Sequence, residues 1–215
     1  MNTCIFDIET NGIKDFKNLT DLHTIHCLVV RSMDGEVKVF TGSHIHAGIR
    51  FLEMQDVIVG HNAIGFDIPA IKKICPDFKP QGCVRDSMVM SRLAWSDQRN
   101  LDFADEHLPR NLIGSHSLKA WGYRLGVHKG DYKGGWDTLS NAMLQYCIQD
   151  TLVTKALYDK ANAKLGNIEA VILEHEFQEI IYKQEGVGFG FDTPKAGELY
   201  ATLAGKRASL KTKLT

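Results

Sequence analysis

The sequence has 215 residues, of which 44% are hydrophobic and 24% are charged, as is typical of a globular protein with a buried core. Its formal net charge is −1, so it lacks the overall basic bias that marks many nucleic-acid-binding proteins. No apolar run approaches the roughly 20 residues that a membrane-spanning helix needs, and no signal-peptide pattern opens the chain. Five cysteines without a CxxC pair indicate reduced thiols in a cytoplasmic protein rather than disulfides or a zinc site.

The first sixty residues predict most of a β-sheet. Alternation of apolar and polar residues in "TCIFDIE" predicts a strand, because successive side chains point to opposite faces. The segments "IHCLVVR" and "VKVFTG", joined by the turn sequence "SMDGE", predict an antiparallel hairpin. A short amphipathic helix, "HAGIRFLEM", follows, and "DVIVGHN" then predicts a buried strand beside the first one.

The next hundred residues predict helices alternating with one more strand. The segment "GFDIPAIKKIC" predicts a helix with Asp67 as its N-cap, and "CVRDSMVMSRLAW" predicts a strand that leads into a helix capped by Asp86 or Ser87. A helix in "SHSLKAWGYRLG" is predicted to end at Gly126. After a loop rich in glycine, lysine and aromatic residues, a long helix is predicted from about Leu139 to Lys164.

The last fifty residues predict two further helices, joined by "EGVGFGFDT" with two strand-like phenylalanines. This order of elements predicts an α/β fold: a ribonuclease-H-like mixed five-stranded sheet flanked by helices, with a C-terminal helical appendage. We place the domain at residues 1–165 and the appendage at residues 166–215.

Two carboxylates in the first strand are unusual for a buried segment. Period-2 geometry puts Asp7 and Glu9 on one face, where two poorly solvated negative charges would repel each other. In the long helix, Asp150 falls on the apolar stripe and lies one turn from Tyr146. A buried carboxylate is rare unless it binds a metal or is paired, so the alternative for Asp150 is a salt bridge to one of three arginines, Arg31, Arg85 or Arg92.

Asp67 taken alone is better explained as a helix cap, since aspartate is among the best N-cap residues. The four carboxylates together are best explained by two hard divalent cations with oxygen ligands. Such a pair, about 3.5–4 Å apart, serves in-line displacement at phosphorus. The sequence therefore predicts a two-metal site for phosphoryl chemistry.

Three short segments carry a family resemblance. "FDIET", "HNAIGFD" and "YCIQD" resemble the motifs D-x-E, N-x-x-x-F/Y-D and Y-x-x-x-D of the DnaQ-like (DEDD) 3′–5′ exonucleases, in the tyrosine subclass. Two longer stretches, "GSHSLKAWGYRLGVHKGDYKGGW" and "EHEFQEIIYKQEGVGFGFDTPKAGELY", resemble the proofreading domain of family A replicative DNA polymerases from short-tailed phages, and the first stretch beyond it. The resemblance covers nearly the whole chain.

The resemblance implies a role for each matching residue. Asp7, Glu9 and Asp150 would bind one Mg²⁺ or Mn²⁺, and Asp7 and Asp67 would act on a second. Tyr146 would orient the attacking water. The 3′-terminal nucleotide would be contacted by Thr10, Ile13 and Asn62, and Tyr132 would stack on a base.

The function implied is a metal-dependent 3′–5′ DNA exonuclease acting in proofreading on the 3′ ends of single-stranded or frayed DNA. Alternatives are a non-catalytic docking module and an RNA-trimming exonuclease of the same superfamily. The stretch between "GDYKGGW" and the last motif is shorter than in the phage polymerases, and no polymerase motif is present. We therefore expect an excised domain, or a subunit working with a separate polymerase polypeptide, located in the cytoplasm (the host cytoplasm if phage-encoded).

Overall fold

The computed structural model describes residues 1–14, 19–128 and 130–214, and within these residues five strands form one mixed sheet. The strands are β1 (Thr3–Thr10), β2 (Ile25–Ser32), β3 (Val37–Thr41), β4 (Val57–Gly60) and β5 (Cys83–Asp86), in the order β3-β2-β1-β4-β5. β1 pairs antiparallel with β2 and parallel with β4. The predicted ribonuclease-H-like mixed sheet is confirmed, with β1 at its centre.

Helices cover the sheet and extend beyond it. They are α1 (Ile45–Glu53), α2 (Asp67–Ile74), α3 (Ser87–Ala94), α4 (Gln98–Asp102), α5 (Leu118–Leu125), α6 (Asn141–Lys164), α7 (Ile168–Val187) and α8 (Thr193–Leu214). α1 packs against β2 and β3, α6 crosses β1, β2 and β4, and α7 packs against α3. Among the described helices, none has the length and apolar character needed to cross a membrane.

β1 is buried on both faces, which is what a central strand requires. Its even-numbered side chains, such as Phe6 and Ile8, join the main hydrophobic core with α1 and α2. On the other face, Ile5 packs with Val57 and Val59 beneath α6. Asp7 and Glu9 follow Ile5 along that second face, so the period of the strand places both carboxylates under α6.

Two predicted helix ends are confirmed. The Asp86 side chain caps α3 by accepting a hydrogen bond from the Met88 N–H, and Gly126 ends α5 in the left-handed conformation, with φ of 65°. Glycine adopts this conformation without the steric cost that a Cβ atom brings.

The predicted long helix is confirmed with its end at Lys164, and three local details differ from the predictions. α6 begins at Asn141 rather than near Leu139, because the Ser140 hydroxyl accepts from the Met143 N–H and so makes Ser140 the cap. Asp67 is the first residue of α2, with Phe66 at the cap position. The strand-like Phe189 and Phe191 belong to no strand of the described sheet, and both are exposed.

Candidate active site

The four carboxylates that the sequence singles out line one cleft of about 280 Å³. Asp7 and Glu9 come from β1, Asp67 from the start of α2, and Asp150 from the middle of α6. Tyr146 lines the same cleft, and so do His61, Asn62, Phe66 and Trp136. The fold thus brings together residues that are distant in sequence: Asp7 and Asp150, 143 positions apart, line the same cleft.

The elements explain this convergence. Because β1 and β4 are parallel, with Ile5 opposite Val59, their carboxyl ends lie at the same edge of the sheet. The loop after β4 therefore delivers Asp67 next to the end of β1. α6 lies over β1, and its residues spaced by 3 or 4 form one stripe that faces the sheet. The buried residues of this stripe include Met143, Asp150, Val153 and Leu157. Arg31, one of the arginines considered for a salt bridge, donates to the Thr151 hydroxyl and to the Ile148 carbonyl.

Three of the four carboxylates in the cleft are buried, which disfavours their charged form. Asp67 and Asp150 are each 3% exposed and Glu9 is 7% exposed. Burial raises the pKa of Asp67 well above its ordinary value, and the neighbouring negative charges of Asp7 and Asp86 raise it further, against hydrogen bonds from backbone N–H groups. A bound cation would relieve this repulsion, so the carboxylate oxygens fit a hard divalent ion such as Mg²⁺ or Mn²⁺.

Cys147 is buried on α6, close to two of the carboxylates. Its Sγ and one oxygen each of Asp7 and Glu9 lie within 4.8 Å of one another. Burial raises the pKa of the Cys147 thiol well above its ordinary value, and the hydrogen bond with Cys27 and the charge of Asp7 add to this. The thiol is therefore protonated at neutral pH, and the donors suited to hard cations are the carboxylates.

An aromatic row leads from α6 into the glycine-rich loop. The ring centroids of Tyr146 and Tyr132 are 5.9 Å apart, and those of Tyr132 and Trp136 are 4.8 Å apart in an edge-on arrangement. The Trp136 carbonyl accepts a hydrogen bond of 2.9 Å from Nε2 of His26, which ties the loop to β2. Trp136 lines the cleft, whereas Tyr132 lies in a neighbouring groove of about 710 Å³ and donates to the Gly135 carbonyl. The sequence predicted that an aromatic residue of this loop contacts a base, with Tyr132 as the choice, and Trp136, four residues further along the loop, is the aromatic residue of the loop that lines the cleft.

The other predicted substrate contacts surround the cleft. Thr10 and Ile13 line an adjoining groove of about 510 Å³, which shares Glu9, Phe66 and Trp136 with the cleft. The Thr10 hydroxyl donates to the Asn11 carbonyl. Asn62 is exposed at the mouth of the cleft, with a φ of 62° that asparagine tolerates better than most residues.

Known proteins were compared with this chain by sequence and by structure. No protein-family model matches the chain. Two curated relatives are the DNA-directed DNA polymerases of Enterobacteria phage T3 and Escherichia phage T7. Each is 31% identical to this chain over an alignment of 262 residues, which covers 98% of this chain and 36% of the polymerase. The chain thus spans about a third of the length of these relatives.

A solved structure supports the fold. The crystal structure of E. coli Exonuclease I in complex with a dT13 oligonucleotide superimposes with a TM-score of 0.50 at 14% identity, covering 76% of this chain and 41% of that chain. The chain shares the fold of the matched part of Exonuclease I and is homologous to part of the phage DNA polymerases. In this fold, residues from all three sequence motifs meet in the cleft that holds Asp7, Asp67 and Asp150.

Proposed function

We propose that this DnaQ-like domain is a metal-dependent 3′–5′ DNA exonuclease with a proofreading role, which hydrolyses single-stranded or frayed 3′ ends to nucleoside 5′-monophosphates. The observation that carries the proposal is the meeting of four carboxylates and Tyr146 in one cleft. The phage relatives are named as DNA polymerases, and the structurally similar Exonuclease I was solved with an oligonucleotide. Both findings support DNA as the substrate.

Asp7, Glu9 and Asp150 would hold one Mg²⁺ or Mn²⁺, and Asp67 with Asp7 would hold the second. Bound there, the two ions would lower the pKa of the attacking water and neutralise charge that develops on the phosphate oxygens. The protein contributes the fixed positions of the four carboxylates, which β1, α2 and α6 supply from buried backbone. Such preorganised charge is the main source of catalysis in phosphoryl transfer.

The side chains around the carboxylates would position water and DNA. Tyr146 lines the cleft, and its hydroxyl would hold the attacking water in line with the scissile phosphorus. Phe66 and Trp136 separate the cleft from the adjoining groove and offer aromatic surface to the terminal base. Base stacking on such rings does not depend on sequence, as a proofreading enzyme requires. Thr10, Ile13 and Asn62 would contact the terminal nucleotide, and Tyr132 the next base.

Cleavage of labelled strands tests the function. A 5′-labelled single-stranded DNA and its RNA counterpart would be incubated with Mg²⁺, with Mn²⁺ or with EDTA. We expect a ladder of DNA products shortened from the 3′ end that requires the metal. Asp150→Ala should abolish it, while Asp159→Ala should not, because Asp159 lies on the same helix but pairs with Lys155 at the surface.

Several outcomes would contradict the proposal. Cleavage that persists in Asp150→Ala would refute the site, and cleavage in EDTA would refute the metal requirement. Faster degradation of the RNA would support the RNA-trimming alternative. Absence of cleavage from both strands would support the docking module.

A polymerase polypeptide is the partner that we propose. Large apolar side chains are exposed along α7 and α8, including Leu173, Phe177, Ile180, Leu199, Leu203 and Leu210. Exposed apolar patches of this kind mark protein interaction surfaces. Co-elution of the chain with a family A polymerase polypeptide that lacks an exonuclease domain would test this. Co-elution should be lost in Phe177→Glu and kept in Lys183→Glu, and a wild-type chain that elutes separately would refute it.

A further inference from the structure

Asp86 is a buried carboxylate directly behind the active-site loop. It ends β5 opposite Gly60 and is 1% exposed. Its Oδ1 accepts hydrogen bonds from the N–H groups of Asn62 and Met88, both at 2.9 Å, and its Oδ2 accepts from the N–H of Ile64 at 3.1 Å. Capping of α3 explains only the bond from Met88. The other two bonds fix the loop between β4 and α2, which leads into Asp67.

The backbone of this loop includes a disfavoured conformation, which hydrogen bonds to neighbouring elements can stabilise. Asn62 is held in the left-handed region, where residues other than glycine are disfavoured. Its carbonyl accepts from the N–H groups of Gly65 and Phe66, which forms a tight turn just before Asp67. Beside Asp86, the Ser87 hydroxyl is hydrogen-bonded to Nδ1 of His61 at 2.9 Å. The junction of β5 and α3 therefore holds the start and the middle of the loop.

His175 holds the same junction from the opposite side. Its Nε2 accepts a hydrogen bond of 2.7 Å from the Asp86 N–H, and its Nδ1 donates to the Val171 carbonyl, also at 2.7 Å. The imidazole is 6% exposed. Because β5 is an edge strand, the Asp86 N–H obtains from α7 the partner that another strand would provide. A chain of hydrogen bonds thus runs from α7 through His175 and Asp86 to the loop.

We propose that Asp86 and His175 are positioning residues that set the place of Asp67, and with it the strength of the second cation site. Neither residue lines the cleft. Both act through the backbone of residues 61–66, as partners behind the ligands of a metal do in other sites. The charge of Asp86 also acts on Asp67 directly, whereas His175 acts through the backbone alone, so the His175 variants and the amide exchange report on positioning. The inference rests on the proposed function, because Asp67 is assigned there to the second cation. It also makes α7 a structural part of the nuclease.

The test measures cation binding without DNA. Asp86→Asn keeps the shape of the side chain but puts an amide N–H group against backbone donors, and His175→Leu leaves the Asp86 N–H without an acceptor. Titration with Mn²⁺, followed by the electron paramagnetic resonance of the free ion, should show about 10-fold weaker binding at the weaker of two sites. Hydrogen exchange at the amides of Asn62 and Ile64 should accelerate in both variants. In cleavage assays, kcat should fall while the KM for DNA stays unchanged.

Two further variants separate positioning from general stability. His175→Gln keeps an acceptor near Nε2 and should restore most of the Mn²⁺ affinity. Val171→Ala removes a buried contact between α7 and Met90 and so weakens the packing of α7, but it keeps the hydrogen bond. The inference is overturned if Val171→Ala weakens Mn²⁺ binding as much as His175→Leu does, or if Asp86→Asn binds Mn²⁺ and exchanges amides like the wild type.

The proposed function can fail separately. A wild-type protein that binds Mn²⁺ but leaves DNA intact would refute the nuclease, while the Mn²⁺ titrations would still decide the roles of Asp86 and His175. A wild-type protein that binds no Mn²⁺ would overturn both.

Discussion

Tyr146 and Asp150 lie one helical turn apart on α6, on the side that faces β1. If the Tyr146 hydroxyl positions water, Tyr146→Phe should lower kcat about 100-fold, the range for loss of one group that acts on a proton in the transition state. The KM for DNA should change little, because the ring remains. Steady-state cleavage of a labelled oligonucleotide would measure both constants.

The control for this prediction is Tyr158→Phe. Tyr158 belongs to the same helix and packs against Ile5, Val57 and Val59, away from the cleft. An equal loss of kcat in both variants, or none in Tyr146→Phe, would show that the hydroxyl has no specific role.

Trp136 should account for part of the affinity for single-stranded DNA. Trp136→Ala is expected to weaken binding about 10-fold, since stacking of one base on an aromatic ring is worth about 1–3 kcal/mol. Trp136→Phe should keep most of the affinity. Fluorescence anisotropy of a labelled oligonucleotide in Ca²⁺ would measure the dissociation constants. Unchanged binding in Trp136→Ala would exclude stacking on this ring.

The candidate site could be predicted from the sequence for those residues whose placement follows from the period of a single strand or helix. A period of two aligned Asp7 with Glu9, and a period of 3.6 put Asp150 on a buried stripe, so these residues could be found without a structure. The bond between Asp86 and His175 joins residues 89 positions apart, and no periodicity indicates it. The choice between Tyr132 and Trp136 has the same limit, because the position of Trp136 at the cleft depends on the folding of its loop onto β2.

At the scale of single elements, the end of α5 offers a test. Gly126 has a φ of 65° and no atom within 4 Å of the place where a Cβ would lie, so substitution there changes backbone strain alone. Gly126→Ala should lower the free energy of unfolding by about 1 kcal/mol and leave cleavage unchanged. Urea denaturation would measure the difference. Gly166→Ala is the matched control, since Gly166 also has open space around it but no positive φ. An equal change in both variants would argue against strain at the cap.

The order of the elements was largely predictable, and their ends were less so. Strands and helices of the sheet region follow hydrophobic periods that extend over several residues, whereas a helix end depends on one side chain. Asp137, Thr138 and Ser140 all have side chains that can cap a helix, and the cap is Ser140, which has an extended backbone and accepts from the Met143 N–H. Phe189 and Phe191 show that alternation of residues is not sufficient to form a strand. The described sheet offers them no partner strand.

For the whole molecule, two histidines with lowered pKa values predict a loss of stability in mild acid. Burial lowers the pKa of His116 to about 4, and the charges of Arg124 and Arg92 contribute. Burial also lowers the pKa of His175. The unfolded chain takes up these protons near pH 6.5, where the folded chain does not. The contribution of these two histidines to the free energy of unfolding should therefore decrease as the pH falls from about 6.5 toward 4.

Urea denaturation at several pH values between 7.5 and 5 would measure this decrease. His116→Gln should flatten the dependence, because the group that is protonated only on unfolding is removed. His46→Gln, at an exposed position on α1, is the control. The explanation fails if His116→Gln retains the full dependence on pH.

The contrast between the last two helices has a practical consequence for proteolysis. No described residue of α8 is buried, and trypsin sites such as Lys195 and Lys206 are exposed there, whereas α7 is fastened by Val171 and His175. A helix without packing opens readily and is cut first. Digestion should therefore remove α8 and slow down at α7. A fragment ending near Val187 would keep the anchor of the active-site loop, and one trimmed at residue 165 would lose it.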